Sequence, residues 1–349
     1  MRLFQPPRAP TSIGVWLRLA LLGLALLAWG LMALGCGSWP ALASPAGQLP
    51  PSREGRVALY ERTLRAYLAA GRLPILDVGL SLAEWRDADR LVREMDAAGV
   101  ALAAVTAPGE KAIWEAAGRH PGRLIPLTTE AAGDAWARGE GELLPALRRQ
   151  LGRGALAIGP LRAAGLAAGE AGERRSLVLE AVLGLAAERR APLILDMAPG
   201  DADVGRLERA LAAHPGAPVV WTEAGRIPRV EMNPGYGHAL LRALSLRHAN
   251  LSFALSTRPA PEPSPVIRPR RDLLYDPGGR LSPEWGAVVD SRVDHFLTAS
   301  PPGAGDASAY AKWMLAYRRA VLEALTPASR PRVAYQNAWR LLTGREWKE

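Results

Sequence analysis

Three acidic residues are associated with predicted buried β-strands, at positions where a carboxylate could do chemistry. Asp77 lies in the first such strand, and Asp196 and Glu223 end two consecutive later strands. Two neighbouring carboxylates can hold a hard cation such as calcium or magnesium, or share a proton as an acid–base pair. They can equally cap the following loops or pair with nearby arginines. Asp196 and Glu223 are therefore the candidate catalytic residues, and the sequence leaves these alternatives open.

Cationic side chains follow two of the predicted strands. One group lies after the sixth strand, and the second lies in a long proline-rich segment after the seventh, from Arg258 to Pro283. Long loops of this kind carry function in α/β barrels, and guanidinium groups bind anions through paired hydrogen bonds. A proline-stiffened lid with solvated charges is the alternative interpretation. The candidate ligand-binding residues are Asp77, Arg226, Arg229, His238, Arg268, Arg270 and Arg271.

The elements that must position these residues repeat along the chain. Short apolar runs typical of buried strands alternate with segments that have the apolar spacing of helices. Strict alternation predicts a parallel sheet with helices outside, and eight units fit a closed barrel better than an open doubly wound sheet. No G-x-G-x-x-G follows the first strand, as a dinucleotide fold would require. The predicted strands begin near Ile75, Ala101, Arg123, Ala155, Pro192, Pro218, Leu251 and Val293.

The amino terminus has the features of an export signal. Arg2 and Arg8 precede the uncharged apolar run from Leu19 to Gly35, whose length lies between a signal sequence and a membrane span. Cys36 follows at once in a lipobox-like context, and an A-x-A cleavage site follows at residues 41–43. Acylation of Cys36, cleavage to a soluble form, and an uncleaved anchor are all compatible with this pattern. Each of them exports the body of the protein from the cytoplasm.

Composition sets the remaining bounds. The 349 residues are 49% hydrophobic, which is enough for one large core, and Cys36 is the single cysteine, so no intrachain disulfide is possible. The formal net charge is +9, and arginine pairs at predicted helix ends suit the helix dipole. No nucleic-acid-binding motif accompanies this charge, so we expect no nucleic-acid partner. The sequence predicts an α/β chain with a signal or lipoprotein leader (1–43), a linker and N-terminal helix (44–72), and a single (β/α)₈ TIM barrel (73–349).

Several segments of the predicted barrel resemble the metal-dependent amidohydrolase family, in particular its small 2-pyrone-type and decarboxylase-like members. The resemblance rests on the order and spacing of the segments and extends from residue 73 to residue 345. The matching segments are Leu76-Asp77-Val78-Gly79-Leu80-Ser81, Glu94 to Val100, Ala187 to Asp196, Ala213-His214-Pro215-Gly216, Val220 to Arg226, His295 to Ser300, and Ala334 to Leu342.

This resemblance implies a barrel with a divalent metal at the carboxyl ends of the strands. The metal would activate a water for attack on an amide, an ester or a carboxylate-bearing substrate. In this sequence, however, every ligand position that can be aligned has changed type, and the aspartate that serves as ligand and base is replaced by proline. The degenerate metal positions are Gly79, Ser81, Asp196, Glu223 and Pro301.

The histidines do not compensate for these changes. Of the five in the chain, only His238 follows the carboxyl end of a predicted strand. Catalytic zinc needs about three protein ligands, with nitrogen or sulfur donors prominent. We therefore expect neither a bound metal nor another cofactor. A divalent cation held by Asp196 and Glu223 is the alternative.

Three classes of function follow from the sequence. The favoured one is an exported, catalytically degenerate amidohydrolase-like barrel that binds a small ligand, with an anion favoured by the arginines, or a partner protein of the cell envelope. The alternative is an active hydrolase or lyase with an altered carboxylate-based metal site, so enzyme status stays open. The third is a structural component of an envelope complex. In each case we expect a cell-envelope location, either periplasmic or bound to the membrane through the leader or a lipid anchor.

Overall fold

The structure is a computed structural model of the chain. It describes residues 49–50, 52–82, 88–128, 140–163, 165–197, 201–222, 224–227, 235–255, 271–300 and 307–349. The predicted leader and Cys36 lie outside these ranges. Within them, none of the helices combines the length and the apolar character that crossing a bilayer requires.

Ten strands are present in the described part of the chain. Eight of them run parallel, and the two short strands β7 and β9 pair with each other in antiparallel fashion. The strands are β1 (Ile75–Ser81), β2 (Val100–Thr106), β3 (Leu124–Pro126), β4 (Ile158–Arg162), β5 (Leu193–Asp196), β6 (Val219–Trp221), β7 (Arg226–Ile227), β8 (Leu251–Leu255), β9 (Arg271–Asp272) and β10 (Phe296–Thr298).

Helices separate the parallel strands, as the alternation predicted. Serine side chains begin two of them, since Ser52 accepts from the Gly55 amide and Ser282 from the Trp285 amide. A short turn (Ser329–Pro331) and a π-helical turn (Arg332–Gln336) lead into the last helix. The helices are α1 (Arg53–Ala69), α2 (Ala88–Ala98), α3 (Glu110–Arg119), α4 (Glu140–Arg153), α5 (Gly169–Arg189), α6 (Asp201–Ala213), α7 (His238–Arg247), α8 (Pro283–Ser291), α9 (Ala307–Ala320) and α10 (Asn337–Thr343).

The parallel strands form two ladders, β1-β2-β3 and β4-β5-β6-β8-β10. Two backbone hydrogen bonds connect the ladders, from the Leu156 amide to Pro126 O (3.0 Å) and from the Thr128 amide to Ala157 O (3.1 Å). The predicted α/β class with parallel strands is therefore confirmed, and every predicted strand start lies within three residues of the observed one. Within the described ranges no ladder joins β1 to β10.

The carboxy-terminal segment covers the outer edge of β10. The side-chain amide of Asn337 donates to Val293 O and Phe296 O, at 2.7 Å each, and the Thr298 hydroxyl donates to Val333 O at 3.1 Å. An uncovered strand edge presents unpaired backbone groups that invite association with other chains. The bond from Asn337 gives the Phe296 carbonyl at this edge a partner from within the same chain.

The interior between the strands is apolar at its amino-terminal end. A small apolar cavity without room for a water molecule lies there, bordered by side chains from four parallel strands and by helix α10, which covers this end of the sheet. The lining residues are Val78, Pro192, Ile194, Val220, Leu297, Ala338, Leu341 and Leu342.

Candidate functional site

The carboxyl ends of the parallel strands form the candidate site, called the mouth below. Ile194 and Val220 line the interior cavity, so their side chains point inward. Side chains alternate along a strand, and residues two positions further on therefore face the same interior nearer the carboxyl end. This places in the mouth the side chain of Asp196, which ends β5, and that of Thr222, which directly follows the neighbouring strand β6.

A bulge at Gly79 determines which side chain β1 presents to the mouth. Val78 pairs with Ala104 and Leu80 with Val105, which leaves Gly79 unpaired at φ 118°. Glycine is favoured at such positive φ values, and one extra residue reverses the inside–outside alternation of the strand. Ser81 consequently lies opposite Thr106 and faces the interior. Gly79, which the sequence analysis treated as a degenerate metal position, thus has a backbone role.

Arg162 and Asp196 lie side by side in the mouth. They are register partners on β4 and β5, and residues opposite each other in a ladder share a face of the sheet. Arg162 Nε is 3.9 Å from Asp196 Oδ2, and the side chains are 85% and 29% exposed. The amide of Ala163 donates to the main-chain oxygen of Asp196 at 2.8 Å, so the pairing continues past this point. Sequence reasoning proposed Asp196 as a site residue and missed Arg162.

Threonine hydroxyls stabilise the strand ends around this pair. Thr106 donates to Thr128 O (2.8 Å), Thr128 Oγ1 accepts from the Gly159 amide (2.8 Å), and Thr222 donates to Leu195 O (3.3 Å). Each bond links one strand end to its neighbour. A hydroxyl that donates in this way keeps its capacity to accept another hydrogen bond. The mouth is therefore polar, with one described cation beside one described carboxylate.

Asp203 connects the loop after β4 to the helix after β5. Its two carboxylate oxygens accept from the Ala167 amide (2.8 Å) and the Gly165 amide (3.2 Å). The same loop packs so closely on α5 that a Cβ at Gly172 would lie 2.6 Å from Leu166 O. The loop that follows Arg162 is therefore held from two sides.

Asp77 lies away from the mouth. It is fully buried, and its carboxylate accepts from the Ser300 amide (2.6 Å) and the Tyr310 hydroxyl (2.9 Å). Val78 lines the interior, so the adjacent Asp77 faces the helical layer that includes α9, because side chains alternate along a strand. Burial raises the pKa of Asp77 to about 6, and the bonds from Ser300 and Tyr310 moderate that rise. Burial also raises the pKa of Tyr310.

The remaining candidates are only partly brought together. His238 begins α7 and meets Trp285 edge-on, with ring centroids 6.2 Å apart. The pairing of β7 with β9 places the backbones of Arg226 and Arg271 on adjacent short strands. This pairing connects the segment after β6 to the segment after β8. Glu223, Arg229, Arg268, Arg270 and Pro301 lie outside the described residues.

The described residues contain no group of three or more His, Cys, Asp or Glu side chains that could hold a metal ion. Three histidines instead contact other groups away from the mouth. His120 lies 2.6 Å from Asp89, His248 lies 3.2 Å from Glu208, and His295 lies 2.6 Å from the Leu251 carbonyl. The carboxylate of Asp196 lies in the mouth, and its proposed partner Glu223 is outside the described residues.

No protein-family model and no curated protein matches the chain. Among solved structures, it is distantly similar to a Tyr-to-Trp mutant of the organophosphorus hydrolase from Deinococcus radiodurans. The sequence identity is 15% and the TM-score is 0.43, with 84% of this chain and 86% of that chain covered.

Proposed function

We propose that this chain is an exported amidohydrolase-like barrel whose mouth binds a small carboxylate-bearing molecule without metal-dependent hydrolysis. The observation that carries the proposal is the register of Arg162 with Asp196 at the carboxyl ends of β4 and β5. Strand-end side chains form the binding face in barrels. A guanidinium 85% exposed at that face is suited to a carboxylate, which it can bind through two parallel hydrogen bonds.

Closure of the barrel is part of this proposal. The bond between the Ser300 amide and Asp77 connects the segment after β10 to β1, and Tyr310 of α9 donates to the same carboxylate. The cavity lining includes Val78 from β1 and Leu297 from β10, so both strands border one interior. These contacts support closure through side chains and packing, in place of a ladder between the first and last strands.

The described strand ends offer few side chains that bind a metal ion. Gly79 has no side-chain donor, and the neutral hydroxyl groups of Thr106 and Thr222 are not among the imidazole, thiolate and carboxylate ligands that zinc takes. A catalytic metal needs about three protein donors around an open position. The guanidinium of Arg162 also raises the electrostatic cost of placing a cation beside Asp196.

The proposal is tested by isothermal titration of the full-length chain in mild detergent with small carboxylates, some carrying an amino group. Arg162→Gln should reduce the affinity at least tenfold, because a hydrogen bond to a charged group contributes about 1.5–3 kcal/mol. Arg332→Gln is the matched control, since Arg332 pairs with Asp294 near the amino-terminal end of β10. Equal binding by the wild type and Arg162→Gln, or no binding of any carboxylate, would contradict the proposal.

The alternative function is an active hydrolase or lyase with a cation held by Asp196 and Glu223. The inward position of Asp196 and its 29% exposure favour keeping this candidate. Equilibrium dialysis against zinc, manganese and magnesium separates the two. One tightly bound metal per chain that is lost in both Asp196→Ala and Glu223→Ala would establish a rebuilt metal site and overturn the degenerate barrel.

A further inference from the structure

The Arg162–Asp196 pair also bears on the class of ligand, in an inference that rests on the proposed function. The two side chains share one face of adjacent strands and their charged atoms lie 3.9 Å apart. Any molecule that contacts the guanidinium in the mouth therefore also comes close to the carboxylate. The charge on Asp196 must then be part of what the mouth selects.

A ligand with only a negative charge is both attracted and repelled by the Arg162–Asp196 pair. Its carboxylate is attracted to Arg162 and repelled by Asp196, at comparable distances. Burying Asp196 under such a ligand would also remove water from a carboxylate that is already 71% covered, given its 29% exposure. An ionised group that loses water while a group of like charge approaches it is destabilised. A ligand that brings its own positive charge removes both penalties.

We propose that the mouth recognises a zwitterion of the α-amino acid class, with Asp196 binding the ammonium group and Arg162 the carboxylate. The short aspartate side chain keeps its charge near the floor formed by the strand ends. The long arginine side chain places its charge further out. An amino acid bound across the pair is therefore oriented with its ammonium group inward and its carboxylate toward the opening.

The surroundings of the pair suit a small polar ligand. Ser81 and Thr222 face the same interior from two other strand ends, and hydroxyl oxygens accept hydrogen bonds from ammonium groups. Asp203 holds the loop that follows Arg162, and the bond from Ala163 to Asp196 O fixes the spacing of the two strands. Both charged groups are thus carried on ordered backbone, which limits the entropy lost on binding.

The test compares each amino acid with fragments that lack one of its charges. L-serine is paired with 3-hydroxypropionate and ethanolamine, and L-alanine with propionate and ethylamine, each titrated calorimetrically into the full-length chain. At least one amino acid should bind tenfold or more tightly than both of its fragments. Asp196→Asn should lower the affinity for that amino acid to the level of the fragment without the amino group. Arg162→Gln should lower it to the level of the fragment without the carboxylate.

Asp294→Asn and Arg332→Gln are the matched controls, because they neutralise an Arg–Asp ion pair near the start of β10, away from the mouth. Equal binding of an amino acid and its deaminated fragment, with no effect of Asp196→Asn, would overturn the zwitterion and leave the carboxylate-binding function standing. Binding of the amines alone, or of none of the six probes at millimolar concentration, would overturn both.

Discussion

The carboxylate of Asp77 accepts a hydrogen bond from the main-chain amide of Ser300 at 2.6 Å, across 223 residues of sequence. Asp77 lies in the first strand and Ser300 directly after the last one. The Tyr310 hydroxyl donates to the other oxygen of the same carboxylate at 2.9 Å. One buried acidic group therefore connects the beginning and the end of the parallel series, and its ionisation is coupled to the stability of the fold.

Asp77→Asn should change how stability depends on pH. The pKa of Asp77 rises from 3.8 to about 6 on folding, so the folded chain holds this proton more strongly than the unfolded one. The stabilising contribution is complete below pH 3.8 and is lost as the pH rises through about 6, which amounts to about 3 kcal/mol. The isosteric asparagine should remove this loss. Urea unfolding between pH 3.5 and pH 7 measures the free energy of unfolding of the wild type and Asp77→Asn. The same dependence of this free energy on pH in the two proteins would contradict the prediction.

Tyr310→Phe is the companion variant for this prediction. It removes a hydrogen bond that lowers the pKa of Asp77 while keeping the ring volume. The pH at which Asp77 loses its stabilising effect should consequently move upward.

His295 should contribute a pH dependence of opposite sign. Its Nδ1 lies 2.6 Å from Leu251 O and its Nε2 lies 3.0 Å from Arg292 Nη2. The first nitrogen must carry the proton and the second must accept from the guanidinium, which defines a neutral ring. Burial, and then the charge of Arg292, lower the pKa of His295 below 6.5. Stability from this group is present above pH 6.5 and is lost as the pH falls through the lowered pKa.

His295→Gln should therefore remove part of the acid sensitivity below pH 6.5 that the wild type shows. Thermal unfolding at half-unit pH steps gives the comparison. Arg292→Gln serves as the second variant, since it removes the cation that opposes protonation, although it also removes the bond to Ser245 O. A wild-type acid transition that persists unchanged in His295→Gln would refute the assignment.

Cys36→Ser should abolish lipid attachment if the leader is processed as a lipoprotein signal. The motivation is a single cysteine directly after the apolar run from Leu19 to Gly35. The acylated chain should partition with membranes, and the serine variant should lose both that location and the added mass of the acyl groups. Intact-mass spectrometry with membrane fractionation decides this, with Ser38→Ala as the neighbouring control. An unchanged mature mass and location in Cys36→Ser would exclude acylation.

Alternation of apolar runs was sufficient to predict the eight parallel strands, because buried strands and amphipathic helices leave different periodicities in the sequence.

The irregular backbone of the fourth strand was harder to predict. Directly after Ile158 the sequence has Gly159-Pro160, and both residue types are unfavourable inside a strand. The observed strand begins at Ile158 and continues through an irregularity to Arg162. Arg162 was missed as a site residue for this reason.

The β-bulge at Gly79 could not be predicted from the sequence either. From the sequence alone, this glycine is interpreted as a degenerate metal position, which suggests only the loss of a ligand. Its positive φ and its missing partner on β2 become visible only in three dimensions. A glycine at the end of an apolar run is a recognised signal for a bulge, but the sequence alone does not say which neighbouring side chain then faces inward.

Gly79→Ala tests whether the bulge is required by its backbone. A Cβ at this position would meet no atom within 4 Å, so crowding does not oppose the substitution. The backbone φ of 118° opposes the substitution, since left-handed backbone costs a residue with a Cβ about 1–2 kcal/mol. Gly184→Ala is the matched control. An added Cβ at Gly184 also meets no atom within 4 Å, but this residue lies inside helix α5, where alanine should stabilise the fold by about 1 kcal/mol.

The midpoint of urea unfolding should therefore shift in opposite directions for the two variants. Ligand binding should weaken only in Gly79→Ala, because relaxing the bulge turns Ser81 away from the mouth. A Gly79→Ala chain as stable as the wild type would show that the bulge does not depend on glycine.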